Sequence, residues 1–541
     1  MSTTPITPRW QRALAILRPS HRHTAFTATL LLMGSAMASR VIGLVKTKYI
    51  AYLLGKTAAA DAFNAAFMLP DMIAYFLVGG AASITFVTML TRYRDAGREA
   101  EGERSMSVIL TTMTLVLGLA IVAAEFLAPL YVRLMLDGFE SDPAKAALCA
   151  HLTRILLPAQ LFFLAGGVFA AVLLVRKQFG VQAITPLVYN CGIIFGGVLL
   201  YRHLGSSGLA VGAVAGAFLG PFLLNAIWAH RVGMRYRPIL DWSDRGLHEW
   251  VRMSIPLMLG VSLVSADSWI ISKFASHTGG AVSLLTYAKQ LFTAPVALGQ
   301  AAGAASLPFL ASLYGKGRSE GNGAPFARAV NASVSRILAF SILLSAFMIA
   351  MALPMVDVLL RGGAFHRADS GTMAVYFGIF SLSLCLWSAQ AIYARAFYAA
   401  GNTLTPMIAG TIVTVVSLPV YWVFYRSTGP AGLAIASDIG ILIQTITLAV
   451  LLHRNRMVPM SGLEYMELLR SLFAGIVGYA GLMALQHFLP HSPGRLFELG
   501  VLVLATFVWI GISALALEIT GSALPDQLLS RFRKTRPDAA A

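Results

Sequence analysis

The sequence predicts an all-α integral membrane protein with about 14 transmembrane helices: two six-helix lobes in a parallel pseudo-repeat, followed by two C-terminal helices. Three observations predict this class. The 541 residues are 57% hydrophobic and only 12% charged, about half the charged fraction of a typical soluble domain. Apolar runs of about 20 residues, the length that crosses a bilayer, recur along the chain. Two sequence segments also recur at nearly one offset.

The apolar runs predict fourteen spans, and several are longer than a bilayer is thick, so we expect them to tilt or bend. Prolines inside the runs favour such bends, because proline breaks the hydrogen-bond pattern of a helix. The spans lie near residues 25–54, 61–91, 106–136, 146–175, 181–201, 207–230, 250–275, 281–313, 330–360, 371–399, 404–425, 431–453, 466–489 and 496–519.

Basic residues orient the predicted bundle. Segments such as "RYRDAGREAEGERS", "HRNR" and "SRFRKTR" all fall on one side of the membrane, which indicates that both termini are cytoplasmic. The net charge of +17 is then explained by cytoplasmic loops, and we expect no nucleic-acid partner. The predicted organisation is a cytoplasmic N-terminal extension (1–24), an N-lobe (25–230), a cytoplasmic linker (231–249), a C-lobe (250–453), two further spans (466–519) and a cytoplasmic tail (520–541).

An internal repeat supports the two lobes. The segment "GGAASITFVTML" (79–90) recurs as "AGAASLPFLASL" (302–313), and Thr185-Pro186 is matched by Thr405-Pro406. Six predicted spans separate the copies, and an even number preserves orientation, so the repeats are parallel. Such a repeat predicts two lobes that face each other around a site near the middle of the membrane.

Three cations interrupt the first span, in "ASRVIGLVKTKYIAYLLG" (38–55). Each costs roughly 2.5–3.5 kcal/mol at bilayer depth. Arg40 lies near mid-membrane and has no obvious acidic partner on neighbouring spans. An unpaired guanidinium in a water-filled cavity is a ready anchor for an anion, phosphate in particular. We therefore predict that Arg40 binds substrate.

Lys46 and Asp71 lie at similar depths. Counted from the outer end of each span, Lys46 is roughly 12 Å deep and Asp71 roughly 15 Å deep, at 1.5 Å per residue. They are candidates for a structural ion pair, with Lys48 extending outward. The alternative is that Lys46 faces the substrate cavity.

Four further charges lie in or at the ends of spans. Asp61 opens span 2 and either caps its N-terminus or has a functional role. Asp267, Lys289 and Asp438 are the isolated charges of the second lobe. They serve ion coupling or pair structurally, and helical periodicity does not decide between these roles.

No enzyme motif is present in the sequence: we find no Walker loop and no HExxH. The three cysteines (Cys149, Cys191 and Cys385) lie in apolar stretches without the spacing of a metal or disulfide site. We therefore expect no catalytic residues, no metal and no cofactor. Transport, if that is the function, must draw on an ion gradient, the membrane potential or a partner.

The stretch "SRVIGLVKTKYIAYLLGKTAAADAFNAAFMLPDMI" resembles the opening of the MurJ/MviN family of lipid II flippases, within the multidrug/oligosaccharidyl-lipid/polysaccharide exporter superfamily. "LGVSLVSADSWIISKFAS", "ARAFYAAGNTLTP" and "GPAGLAIASDIG" resemble spans 7, 10–11 and 12 of that family. The resemblance extends over nearly the whole chain beyond residue 25.

The resemblance implies a flippase that moves the undecaprenyl-pyrophosphate-linked peptidoglycan precursor, lipid II, to the outer leaflet of the bacterial cytoplasmic (inner) membrane. The family motif, Ser-Arg-x-x-Gly-x-x-Arg followed by Asp-Ala-Phe, carries substrate-binding roles onto Ser39, Arg40, Lys46 and Asp61. Lys289, next to the position of the family's span 8 arginine, is also predicted to bind substrate. Membrane lipids and cell-wall synthesis enzymes are the implied partners.

The chain departs from the family pattern in both lobes. Ala74 and Gly79 replace an arginine and a glutamate of span 2, and Gln290 replaces an arginine of span 8, with Lys289 next to it but turned by about 100°. The family's proposed sodium positions are occupied by Ile271, Ser417 and Tyr421.

These departures leave three alternatives open. A lipid II flippase stays the leading prediction. The alternatives are a flippase for another polyprenyl-linked oligosaccharide, such as O-antigen or exopolysaccharide, a non-transporting scaffold for cell-wall enzymes, and a multidrug antiporter. The cationic first lobe argues against cationic drugs.

Overall fold

The computed structural model describes residues 25–176, 178–259, 263–489 and 494–525. Within these ranges the chain is helical, apart from loops, turns and one isolated bridge between Gly362 and Phe365. The predicted all-α fold is confirmed. The chain divides into two compact units: the first comprises the described parts of 1–50 and 57–260, and the second those of 51–56 and 261–541.

The first unit contains most of α1 and ten further α-helices, and its second predicted span is broken into α2, α3 and α4. Two π-helical turns, Ala74–Val78 and Phe218–Leu224, connect α3 to α4 and α9 to α10. The helices are α1 (Ala25–Leu54), α2 (Ala58–Ala66), α3 (Met68–Ile73), α4 (Gly79–Asp95), α5 (Glu99–Met135), α6 (Pro143–Leu156), α7 (Ala159–Val175), α8 (Phe179–Leu204), α9 (Ser206–Ala217), α10 (Asn225–Arg231) and α11 (Arg245–Leu259).

The second unit contains ten helices besides the end of α1. They are α12 (Leu263–Ala275), α13 (Ala281–Glu320), α14 (Ala324–Ala350), α15 (Ala352–Leu360), α16 (Arg367–Leu382), α17 (Leu384–Ala399), α18 (Leu404–Thr428), α19 (Pro430–Arg454), α20 (Tyr465–Phe488) and α21 (Arg495–Ile519).

Nine helical segments of the described chain are long and apolar enough to cross a membrane, and a bent pair, α16 with α17, makes ten. This supports a protein that crosses the membrane many times. The predicted number of fourteen stays a prediction, because several predicted spans are broken or carry charges.

Glycines explain the close packing of α8 on α9. A Cβ atom added at Gly192 would lie 2.5 Å from the Cα of Gly216, and one added at Gly196 would lie 2.5 Å from the Cα of Gly212. No side chain fits at such distances. Small residues allow the two backbones to approach, which is how helices associate where no hydrophobic effect drives them.

A proline in α5 removes a helical hydrogen-bond donor, and a residue of α6 compensates. Pro129 leaves the carbonyl of Glu125 without its usual N–H partner, and Arg154 donates its Nε–H to that carbonyl at 2.8 Å. Pro70 leaves the carbonyl of Ala66 without its usual N–H partner in the same way. The Thr153 hydroxyl lies 3.4 Å from that oxygen but donates to the Cys149 carbonyl at 2.8 Å. Neighbouring side chains commonly satisfy such carbonyls in membrane helices.

The segment between α10 and α11 packs on α5. Arg104 pairs with Asp241 at 3.1 Å, the Ser105 hydroxyl donates to Asp244 at 3.1 Å, and the hydroxyls of Thr111 and Tyr236 are 3.0 Å apart. These contacts fix part of the predicted linker (231–249) within the first unit.

The last residues of α1 pack within the second unit. The amide of Ala364 donates to the carbonyl of Tyr52 at 2.8 Å, and Lys56 pairs with buried Asp369 at 2.8 Å. Gly363 has a φ of +57°, and an added Cβ would lie 2.3 Å from the Tyr52 carbonyl oxygen. Only glycine fits there.

Candidate functional site

Arg40 is the least constrained of the cations in α1. Its side chain is exposed, and Ser39 beside it is half-buried. Across the described ranges, the guanidinium of Arg40 forms no ion pair and no hydrogen bond. Its donors are therefore available, and a guanidinium presents them in a planar fork that matches a phosphate or carboxylate.

Lys46 and Asp71 interact electrostatically but are not in direct contact. Lys46 is half-buried and Asp71 is exposed. Each carries a Coulomb interaction with the other, although no direct ion pair joins them in the part of the chain that the structure describes. The roles predicted for both residues stay predictions.

Two tyrosines that the sequence did not single out lie near the same carboxylate. Tyr131 on α5 and Tyr189 on α8 are each within electrostatic range of Asp71. The Tyr131 hydroxyl contacts the Met72 sulphur at 3.9 Å. Neither residue stands out in an apolar run, and their grouping depends on how α3, α5 and α8 pack.

Asp61 is not a helix N-cap, so that interpretation was wrong. Thr57 caps α2 and accepts a hydrogen bond from the Ala60 amide at 3.4 Å. Asp61 lies in the first turn and is fully buried. A carboxylate in a first turn is favoured by the helix dipole, and Asp61 is not free of partners. Its predicted substrate role stays a prediction.

The second unit holds a buried polar cluster centred on Asp267. The Asp267 side chain is 1% exposed and forms an ion pair with the Lys289 ammonium, which is 19% exposed. Tyr421 donates its hydroxyl hydrogen to one carboxylate oxygen of Asp267, and Ser437 donates to the other at 3.0 Å. We call Asp267, Lys289, Tyr421 and Ser437 the Asp267 cluster.

Helix register explains the cluster. Asp267 lies eight residues before the end of α12 at Ala275, and Lys289 lies eight residues after the start of α13 at Ala281. At 1.5 Å per residue both are about 12 Å from the loop that joins the two helices. Tyr421 and Ser437 likewise lie seven residues from the facing ends of α18 and α19. This equal spacing is the sequence signal that could have found the cluster.

Asp438 lies next to the cluster but has no direct counter-ion there. Both of its carboxylate oxygens are buried and accept no well-formed hydrogen bond among the described residues. The Ser383 hydroxyl is close enough to interact but donates to the Phe380 carbonyl at 2.9 Å. Asp438 also interacts unfavourably with Asp267, since like charges repel.

Three positions that the family resemblance associated with sodium are all buried. Ile271 and Ser417 are 4% and 0% exposed, and Tyr421 is 0% exposed. In the described ranges, no group of three or more His, Cys, Asp or Glu side chains could hold a metal ion.

The fold is shared with solved membrane transporters. A solved structure described as lipid II flippase MurJ in an inward closed conformation is similar to this chain, with a TM-score of 0.74 at 19% identity, over 90% of this chain and 99% of that one. A multidrug resistance MATE family transporter of the MOP superfamily matches with a TM-score of 0.63 at 16% identity, over 79% of this chain and 98% of that one. Identities this low show a shared fold alone.

Sequence comparison gives the particular family. The model of the family described as "Lipid II flippase MurJ" matches residues 50–502. A probable lipid II flippase MurJ from Vibrio cholerae serotype O1 is 27% identical over 507 residues, 91% of this chain and 92% of the relative. The chain belongs to the lipid II flippase MurJ family, which confirms the resemblance seen in the sequence.

Proposed function

We propose that this protein is a flippase that moves lipid II from the cytoplasmic to the outer leaflet of the bacterial inner membrane by alternating access. The observation that carries the proposal is Arg40, an exposed guanidinium on α1, the first predicted span, that has no partner among the described residues. Keeping an unpaired cation at such a depth is costly. A bound anionic headgroup would offset this free-energy cost, and the cost would return when the headgroup leaves.

The neighbouring groups suit a pyrophosphate-linked sugar. Arg40 and Lys46 lie six residues apart on α1, about 9 Å along the helix. The hydroxyls of Tyr131 and Tyr189 are near Asp71, and hydroxyls and carboxylates hydrogen-bond readily to sugars. We assign phosphate binding to Arg40 and Lys46, with Ser39 and Asp61 as supporting polar groups. In this proposal both termini are cytoplasmic, the protein is not an enzyme, and cell-wall synthesis enzymes are its partners.

One observation favours a second candidate, a flippase for another polyprenyl-linked oligosaccharide. Lys289, the predicted second-lobe contact for the headgroup, is held by Asp267. Less positive charge is then available for a pyrophosphate than the family pattern implies.

Complementation tests the proposal. The chain should restore growth to a bacterial strain depleted of its own lipid II flippase. Purified protein in proteoliposomes should move fluorescent lipid II faster than an undecaprenyl-linked O-antigen unit. Faster movement of the O-antigen unit, without complementation, would favour the second candidate. Growth rescue without flipping of either lipid would favour a scaffold.

A further inference from the structure

Lys289 places its ammonium in direct contact with the Asp267 carboxylate. The carboxylate is 1% exposed, and the hydroxyls around it, Tyr421 and Ser437, are 0% and 2% exposed. A buried carboxylate that loses its counter-ion is strongly destabilising. The cluster therefore requires one positive charge at this position.

The oxygen atoms around that charge are of the kind that binds a small cation. Removing the ammonium would leave two carboxylate oxygens and two hydroxyl oxygens, each hydroxyl with lone pairs to offer. Oxygen ligands suit hard cations. A monovalent cation carries the same single charge as the Lys289 ammonium that it would replace beside Asp267.

We propose that the Lys289 ammonium is a tethered counter-cation, which fills an oxygen-lined site that would otherwise bind a free monovalent cation. Four helices contribute to this site: α12 through Asp267, α13 through Lys289, α18 through Tyr421 and α19 through Ser437. In the native chain the site is closed to free cations. With a neutral residue at position 289 it becomes a site for Na⁺ or K⁺.

A thermal-shift experiment tests the site without any assumption about transport. The purified wild type and Lys289→Met are melted in NaCl, KCl or choline chloride at equal ionic strength. Methionine keeps much of the length of the lysine stem and removes the charge. We expect the Tm of the wild type to be equal in all three salts, and that of Lys289→Met to rise saturably in NaCl or KCl over choline, by roughly 2–4 °C.

Two matched variants serve as controls. Lys289→Arg keeps the tethered charge and should show no cation response. Asp267→Asn combined with Lys289→Met removes both charges, so it should fold and also show no response. Equal melting of folded Lys289→Met in the three salts would overturn the proposal. Failure of that variant to fold in every salt, while the double variant folds, would also overturn it, because no free cation would have replaced the ammonium.

The consequence for transport rests on the proposed function. Flipping by the wild type in proteoliposomes should be insensitive to a sodium gradient, whereas Lys289→Met should require Na⁺ or K⁺. If the wild type moves no lipid at all, the proposed function fails, and the thermal shifts still decide whether the site exists. A clear sodium dependence of the wild type would show that a free cation already binds there.

Discussion

Each unit has a lysine and an aspartate on consecutive predicted spans, but the two charges lie at equal distances from the connecting loop in only one of the units. In the second unit, Asp267 and Lys289 each lie eight residues from the ends of α12 and α13 that face each other, and they form an ion pair. In the first unit, Lys46 lies eight residues before the end of α1 at Leu54, but Asp71 lies thirteen residues after the start of α2 at Ala58. Asp71 is thus five residues out of register and lies on α3, beyond the first break in the second span, and this pair interacts only at a distance.

The distance of each charge from the end of its helix therefore decides whether a lysine forms a structural ion pair or can bind a substrate anion. The second unit neutralises its lysine, while the first leaves Arg40 without a partner in the described ranges and Lys46 only partly compensated. We infer that headgroup binding depends mainly on the first unit and stability mainly on the Asp267 cluster.

Arg40→Ala should produce the largest effect on function. It removes the available guanidinium, so we expect complete loss of complementation with normal abundance in the membrane. Arg133→Ala is the matched control, since Arg133 forms an exposed ion pair with Glu140 at 3.0 Å and should remain active. Normal growth of the strain with Arg40→Ala would show that Arg40 is not needed to bind the phosphate.

Asp267→Asn should produce the largest effect on stability. It leaves the partly buried Lys289 ammonium without its counter-charge, at a cost on the order of 3 kcal/mol. The Tm of the purified variant should fall by several degrees, and adding Lys289→Met should recover most of the loss. A double variant as unstable as the single one would show that the hydroxyl hydrogen bonds to Asp267, and not the ion pair, stabilise the second unit.

Asp71→Asn should lower the Tm less than Asp267→Asn, because Lys46 and Asp71 are not in contact. Adding Lys46→Gln should restore the wild-type Tm. The activity of this double variant then separates two roles: folded and inactive protein means that Lys46 binds substrate, and folded and active protein means that Lys46 only balances Asp71. If Asp71→Asn alone changes neither abundance nor activity, the two charges are not coupled.

The smallest expected effect concerns the segment between α10 and α11, which Asp241 fastens to α5. Hydrogen bonds from the Ser243 hydroxyl and amide, together with Arg104, hold the pKa of Asp241 below its usual range. A lowered pKa in the folded state stabilises the protein above the ordinary aspartate pKa, and this contribution fades as the pH falls through the lowered value.

Melting of wild type and Asp241→Asn at pH 7 and about pH 3 measures this contribution. The wild type should be more stable by roughly 1 °C at pH 7, and the difference should close in acid. A difference that widens in acid would contradict the assignment.

The sequence predicted the helical class and many helix bounds well, because long apolar runs leave few alternatives in a bilayer. α1 was predicted at 25–54 and extends from Ala25 to Leu54. The second span was predicted over 61–91 with a bend at a proline, and it consists of three helices with a π turn. Pro70 favours that break, yet where the chain resumes depends on packing against other helices, which no local pattern contains.

The candidate sites were only partly accessible from sequence. Depth along the spans identifies Lys46 and Asp71 as possible partners, whereas helical periodicity does not reveal the equal register of Asp267 and Lys289. Tyr421 and Ser437 are also at equal distances, seven residues each, from the facing ends of α18 and α19. The grouping of Tyr131 and Tyr189 near Asp71 requires the tertiary packing, because the three residues lie on helices that are distant in sequence.

The hydrogen bond from Arg154 to the carbonyl of Glu125 has a consequence for inheritance and for engineering. Hydropathy alone would rate the substitution Arg154→Leu as an improvement to a membrane helix. It would leave that carbonyl without a donor, because Pro129 has already removed the usual backbone N–H group. The proline and its donor should therefore be gained and lost together. Homologues with alanine at position 129 should tolerate an apolar residue at 154.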